Sequence, residues 1–160
     1  MEQEDFVDIF YVPLVRPLGN LVILFAQAEW ALTELISECD SVGESAALEI
    51  LKKRDARDVA ADLVSRSGLT GFDLAETLEH LDQFWTDKEK RNRYVHDDWF
   101  VNIFEPNGAA ATRGVPRKKG ANVTWDDPKP EDVWALAFRF REHRSVFSIS
   151  AYKIRKERRE

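Results

Sequence analysis

The sequence predicts a mainly α fold, an antiparallel four-helix bundle with a β-hairpin inserted before the last helix. Three observations carry that expectation. Apolar residues recur at helical spacing in four long stretches, starting near residues 19, 44, 73 and 130. One stretch between them, 99–125, instead begins in alternation and carries β-branched residues. The helical stretches are separated by Ser- and Gly-marked turns at 41–44 and 67–71, as antiparallel neighbours require. A chain of 160 residues with 44% apolar and 32% charged residues is one domain by size and composition, expected to span residues 1–160.

Residues 6–15 are apolar and β-branched, and form either a short extended arm or a first helical turn interrupted at Pro13. The first long helix is expected over Gly19–Cys39, with Val22, Phe25, Leu32 and Ile36 as its stripe and Leu21, Leu24, Ala28 and Leu35 beside it. Glu29 falls inside that stripe and needs a cation, because an isolated buried carboxylate is costly. A second helix is expected over Glu44–Ser67, with Leu48, Leu51, Val59 and Leu63 inward and Lys52–Arg57 mostly solvated. Ser67-Gly68 ends it, and Gly71 punctuates the loop. A third helix follows over Asp73–Val95, carrying Leu74, Leu78, Leu81, Trp85, Asn92 and Val95 inward, with Phe84 and Arg91 at the edge. Lys88, Lys90, Arg91 and Arg93 in its last turns suit the negative end of the helix dipole.

Trp99–Phe104 alternates as a strand, Pro106–Ala109 is a turn, and Asn122–Trp125 returns as a second strand. Arg113–Gly120 between them forms a basic loop. The acids and prolines of 126–132 open the last helix, Pro130–Arg159, whose packing residues are Val133, Leu136, Ala137, Phe140, Phe147, Ile149 and Ile154.

Several classes of chemistry are excluded by what is missing. Neither a P-loop nor a GxGxxG phosphate loop occurs, and there is no Gly-x-Ser-x-Gly elbow. His80, His96 and His143 lack any metal-ligand spacing, and the single cysteine, Cys39, forms neither a disulfide nor a cysteine-based zinc site. No cofactor is therefore expected. The acidic N-terminus lacks a signal-peptide n-region, and the run Leu21–Ala26 is too short to span a bilayer, so a cytoplasmic protein without membrane contact is expected. Residues 1–87 carry a net charge of −12 and residues 88–160 a net charge of +6. That asymmetry fits either an anionic partner for the second half or acidic helices packed against a basic one.

The stretch Asp87–Trp99 is where histidine, cations, an amide and aromatic residues gather. Within it Arg91-Asn92-Arg93-Tyr94-Val95-His96 places an arginine, four residues and a histidine at the end of a long helix. This resembles the Arg-x(4–6)-His motif of the HEPN superfamily, with the polar residue that commonly follows the arginine present as Asn92. Trp99 and the inward glutamate of Phe25–Glu29 are similar to features of small bacterial members. The resemblance covers the helical layout of about residues 19–99 and this one motif; the basic hairpin lies outside it.

The resemblance implies metal-independent endoribonuclease chemistry, of the kind used by toxins and defence effectors. His96 would deprotonate the RNA 2′-hydroxyl or protonate the leaving oxygen, a task for a group titrating near neutrality. Arg91 would hold the scissile phosphate, and Asn92 would orient the histidine or a phosphate oxygen. Five residues apart on a helix, Arg91 and His96 lie about 140° apart around its axis. The family commonly solves this by pairing two motifs across a dimer axis, which implies a C2 homodimer. Lys90, Arg93, Arg113, Arg117, Lys118 and Lys119 would then follow the RNA backbone.

A structural reading stands beside this one. Arg91 can neutralise Glu29, and His96 can cap a helix end or bond beneath Trp99. Asp97 and Asp98 next to His96 would repel RNA and raise its pKa. The fold would then be a non-catalytic module for a protein partner, an antitoxin or RNA, or a nucleotide sensor without hydrolysis. His80 and His143 are expected to be ordinary surface or helix-edge histidines. Trp30, Trp85, Trp99, Trp125 and Trp134 are expected in core and interface packing.

Overall fold

The computed structural model describes residues 3–96, 98–101, 110–113, 125–126 and 129–160, with side chains for 12–96 and 129–160. Among the described residues five helices dominate: α1 (Gln3–Asp40), α2 (Glu44–Leu51), α3 (Ala56–Ser65), α4 (Gly71–His96) and α5 (Pro130–Glu157). Three short strands, β1 (Asp98–Val101), β2 (Ala110–Arg113) and β3 (Trp125–Asp126), pair antiparallel in the order β1-β2-β3. Asp98 faces Arg113 in β2, and Arg113 faces Trp125 in β3. The expected turn Pro106–Ala109, residues 114–120 of the basic loop, and residues 102–104 and 122–124 of the two expected strands lie outside the described residues. No described helix is long and apolar enough to cross a membrane.

The chain forms two compact units. One contains residues 1–23 and 88–138, the other 24–87 and 139–160, with the boundaries inside α1, α4 and α5.

α1 corrects the expectation for residues 6–15: the helix continues through Pro13 and Pro17. Each proline deletes one helical N–H bond and crowds the carbonyl four residues back, at about 3 kcal/mol. The burial pattern offsets this. Leu14, Pro17, Leu21, Phe25 and Ala28 are all buried at spacings of three and four, and each large side chain contributes about 1.5–3 kcal/mol. The inward stripe contains Leu21 rather than Val22, which is 40% exposed. Trp30, expected to pack, is also exposed. At the C-terminus Ser41 adopts a left-handed φ of 54°, and Val42 N–H returns to the Ser37 carbonyl at 3.1 Å. This is the Schellman closure of a helix, here made without glycine.

The expected second helix is two helices. Lys52 N–H still reaches the Leu48 carbonyl, but Lys53 N–H turns back to Ile50 and Ala56 N–H to Lys53. The reason lies in burial. Leu51 and Ala56 are both buried, yet five residues along one helix are about 140° apart. Breaking the helix lets both face inward, while Leu48 is exposed and Val59 half-buried.

This break changes the direction of the last helix, as contacts inside the second unit establish. Between α4 and α5, Thr77 meets Ser150, His80 meets His143, and Asp87 meets Arg139, so these helices are antiparallel. Between α1 and α5, Gln27 meets Arg144 at 2.8 Å, Glu34 meets Arg155 at 2.7 Å, and Glu38 meets Arg155 and Arg158, so these run parallel. α1 therefore ends where α4 begins, alongside the C-terminal part of α5, and α2 with α3 goes out and back. A four-helix antiparallel count would have set the last helix against the first.

The core of this unit is aromatic. Phe25, Phe84 and Phe140 interlock at ring separations of 5.2–6.1 Å, and Phe147 packs on Phe84 at 5.8 Å. Edge-on geometry, as in Phe25 against Phe140, suits the quadrupoles of the rings. α4 turns a different face inward than expected: Thr77, Leu81, Phe84 and Asp87 are buried, while Leu74, Leu78 and Trp85 are half-buried. On α5, Ile149 is exposed and His143 is inside.

Candidate functional site

The sequence-predicted site lies in the first unit. α4 stays helical through His96, so Arg91, Asn92, Arg93 and His96 occupy its last turns. Arg91 Nη1 donates to Asn92 Oδ1 at 3.0 Å, joining the two neighbouring motif residues. Both are half-buried, as is Arg93, whereas His96 is exposed. Lys90 Nζ sits 5.8 Å from the centre of the Tyr94 ring, one turn on, and Tyr94 is buried. That is cation–π distance, so part of the lysine's charge is already engaged. Arg113 is placed only by its backbone in β2, and Arg117, Lys118 and Lys119 lie outside the described residues. Glu29, the expected partner of Arg91, is half-buried in the second unit.

The second unit holds a cluster that sequence reasoning missed. Asp87 of α4 is 5% exposed at its side chain. Its Oδ2 accepts from Arg139 Nε at 2.9 Å, and its Oδ1 accepts from Arg139 Nη2. This bidentate fork is the strong form of an arginine–carboxylate pair. His143 Nε2 lies 3.0 Å from the same Oδ2, and His143 Nδ1 lies 2.9 Å from His80 Nδ1. The His143 ring is 1% exposed and stacks on Phe147 at 6.1 Å, with Phe84 and Phe140 edge-on at 5.9 Å. His143 is thus a core residue, correcting its expected surface place; His80 is half-buried on α4.

The electrostatics follow from this packing. Burial works to raise the Asp87 carboxyl, but hydrogen bonds from His143 and Arg139 outweigh it and hold the group below the usual carboxylate range. His80 is pushed below its ordinary value by burial first and by the His143 ring second, against the opposing pull of Glu76, Glu142 and Glu79.

A periodic signal did exist in the sequence. Asp87 follows Phe84 by three residues, and His143 lies between Phe140 and Phe147 at three and four. Polar residues in register with aromatic ones mark a buried polar pair, but only the α4–α5 pairing says which partners meet.

Cys39 is a free, half-buried cysteine. Burial pushes its thiol up to about 11, with Ser67 opposing, so it stays protonated at neutral pH. Among the described residues no cluster of three or more His, Cys, Asp or Glu side chains is arranged to hold a metal ion. Compared with family models, with curated proteins and with solved structures, the chain has no match.

Proposed function

We propose that the chain is a metal-independent endoribonuclease of HEPN type, working in the cytoplasm as a homodimer, as toxins and defence effectors of this kind do. The supporting observation is the arrangement at the end of α4, where Arg91 and Asn92 are joined and His96 stands exposed five residues on. A guanidinium held by an amide is pre-oriented for a phosphate oxygen, which cuts the entropy lost on binding. The exposed imidazole is then available to take the 2′-hydroxyl proton or to protonate the leaving oxygen. Because the nucleophile belongs to RNA, DNA is not a substrate. On this reading the inserted hairpin of 99–125 carries Arg113, Arg117, Lys118 and Lys119 to the RNA backbone beside Lys90 and Arg93.

A second reading has its own support. Lys90 over Tyr94 and Arg91 on Asn92 are cations already engaged within the chain. That favours a helical module that binds RNA or a protein partner, such as an antitoxin, without cleaving anything.

Incubation of purified protein with mixed cellular RNA in EDTA separates the two. The nuclease reading expects cleavage that survives EDTA and falls at least about 100-fold in His96→Ala and in Arg91→Ala. Intact RNA with the wild type, or equal cleavage by both variants, overturns it and leaves the binding module.

A further inference from the structure

The cluster of Asp87, Arg139, His143 and His80 lies within the second unit, and its hydrogen bonds admit few arrangements of protons. Asp87 is held as a carboxylate by the two N–H groups of Arg139. A carboxylate only accepts, so the His143 Nε2 that faces it at 3.0 Å carries a hydrogen. The two Nδ1 atoms of His80 and His143, 2.9 Å apart, must share one hydrogen between them. When the pair is uncharged, His143 has already used its hydrogen on Asp87. His80 Nδ1 therefore donates to His143 Nδ1, and the bare nitrogen is Nε2 of the half-exposed His80 ring.

We propose that Asp87, His143 and His80 form a proton-accepting site in which His80 Nε2 is the base and the buried His143–Asp87 pair orients and stabilises it. A proton arriving at Nε2 leaves His80 cationic. Its Nδ1 hydrogen can then cross the short contact to His143 Nδ1, which places the positive charge against the Asp87 carboxylate. A second proton finds no place, because two N–H groups would face each other across the His80–His143 contact. The pair therefore takes up one proton and not two while the fold is intact.

The surroundings choose the ligand. Glu76 and Glu79 on α4 and Glu142 on α5 bear electrostatically on His80, while the Arg139 cation is committed to Asp87. The site thus favours a neutral or cationic proton donor, a hydroxyl or an ammonium, over a phosphate or carboxylate. His80 is the accepting residue; His143 and Asp87 are positioning residues.

Nitrogen-15 NMR of the histidine rings, followed from pH 8 to pH 5, tests this on the wild-type chain, with His80→Gln to assign the signals. At pH 8 His143 is expected as the Nε2–H form and His80 as the Nδ1–H form, the reverse of the tautomer that free histidine prefers. The His80–His143 pair should take up one proton while the amide spectrum stays native, with His96 counted separately. In Asp87→Asn the uptake should move to lower pH by about one to three units, the effect of losing a neighbouring opposite charge. His80 found as the Nε2–H form at pH 8 overturns the proposal, as do His80 and His143 both becoming charged in the native state. Unchanged uptake in Asp87→Asn removes the aspartate from the relay. If that variant does not fold, the wild-type tautomers and proton count decide alone.

Discussion

Single residues in the second unit show how polar groups are kept inside a helical core. Thr77 is 1% exposed, and Ser150 is 3% exposed. Thr77 Oγ1 donates to the Asp73 carbonyl at 2.6 Å, so the hydrogen in its 2.7 Å contact with Ser150 Oγ comes from the serine. Removing the threonine hydroxyl strands a buried donor, which costs more than the bond itself contributes. Thr77→Val is accordingly expected to destabilise by about 1–3 kcal/mol, while Thr77→Val with Ser150→Ala returns toward neutral. Urea unfolding of the two single variants and the double variant measures the difference. The same logic made Asp87 and His143 hard to read from sequence. Their polarity argued for the surface, and partners 52 and 56 residues away put them in the core.

At the scale of elements, the ends and breaks of helices carry the information. α1 stops with Ser41 in a left-handed conformation that costs a residue with a Cβ about 1–2 kcal/mol. Ser41→Gly relieves that strain and is expected to raise stability by about 0.5–1 kcal/mol after the added entropy of the unfolded glycine, read as a higher midpoint in thermal or urea unfolding. Gly68 and Gly71 already use this solution, at φ of 95° and 56°. Those two glycines were legible in the sequence as the punctuation before α4. The break at 52–55 was not, because Lys-Lys-Arg-Asp has no strong breaker and fits a solvated helix face. It exists because Leu51 and Ala56 both find a place inside. Pro13 misled in the opposite direction: a strong local breaker, like Pro17 after it, was overridden by an inward stripe that continues past both.

For the molecule as a whole, acid is the expected weakness. His80 is held below its ordinary value of 6.5 in the folded chain, so the unfolded chain binds the proton more readily. Stability from this group is full above pH 6.5 and is lost as the pH falls. Asp87 is held below its ordinary value of 3.8, so its contribution persists to lower pH and disappears as the carboxylate is protonated. The urea midpoint is therefore expected to fall between pH 7.5 and 5.5, and again below about pH 4. His80→Gln should flatten the first step and leave the second. A midpoint that rises on acidification to pH 5.5 would show that relief of the chain's net negative charge outweighs the histidine pair.

The sequence by itself determined the helical class, because a 3.6-residue apolar period is a local property that needs no partner to be seen. It also placed α4 and α5 to within two residues at each end, and set Arg91, Asn92 and His96 at the close of α4. Only the tertiary structure decided which face of each helix turns inward, the parallel course of α1 and α5, and the meeting of His80, His143, Asp87 and Arg139. Those features depend on pairings between residues more than fifty positions apart. Burial energy there outweighs local propensity, and a polar side chain becomes a core residue once a partner satisfies it.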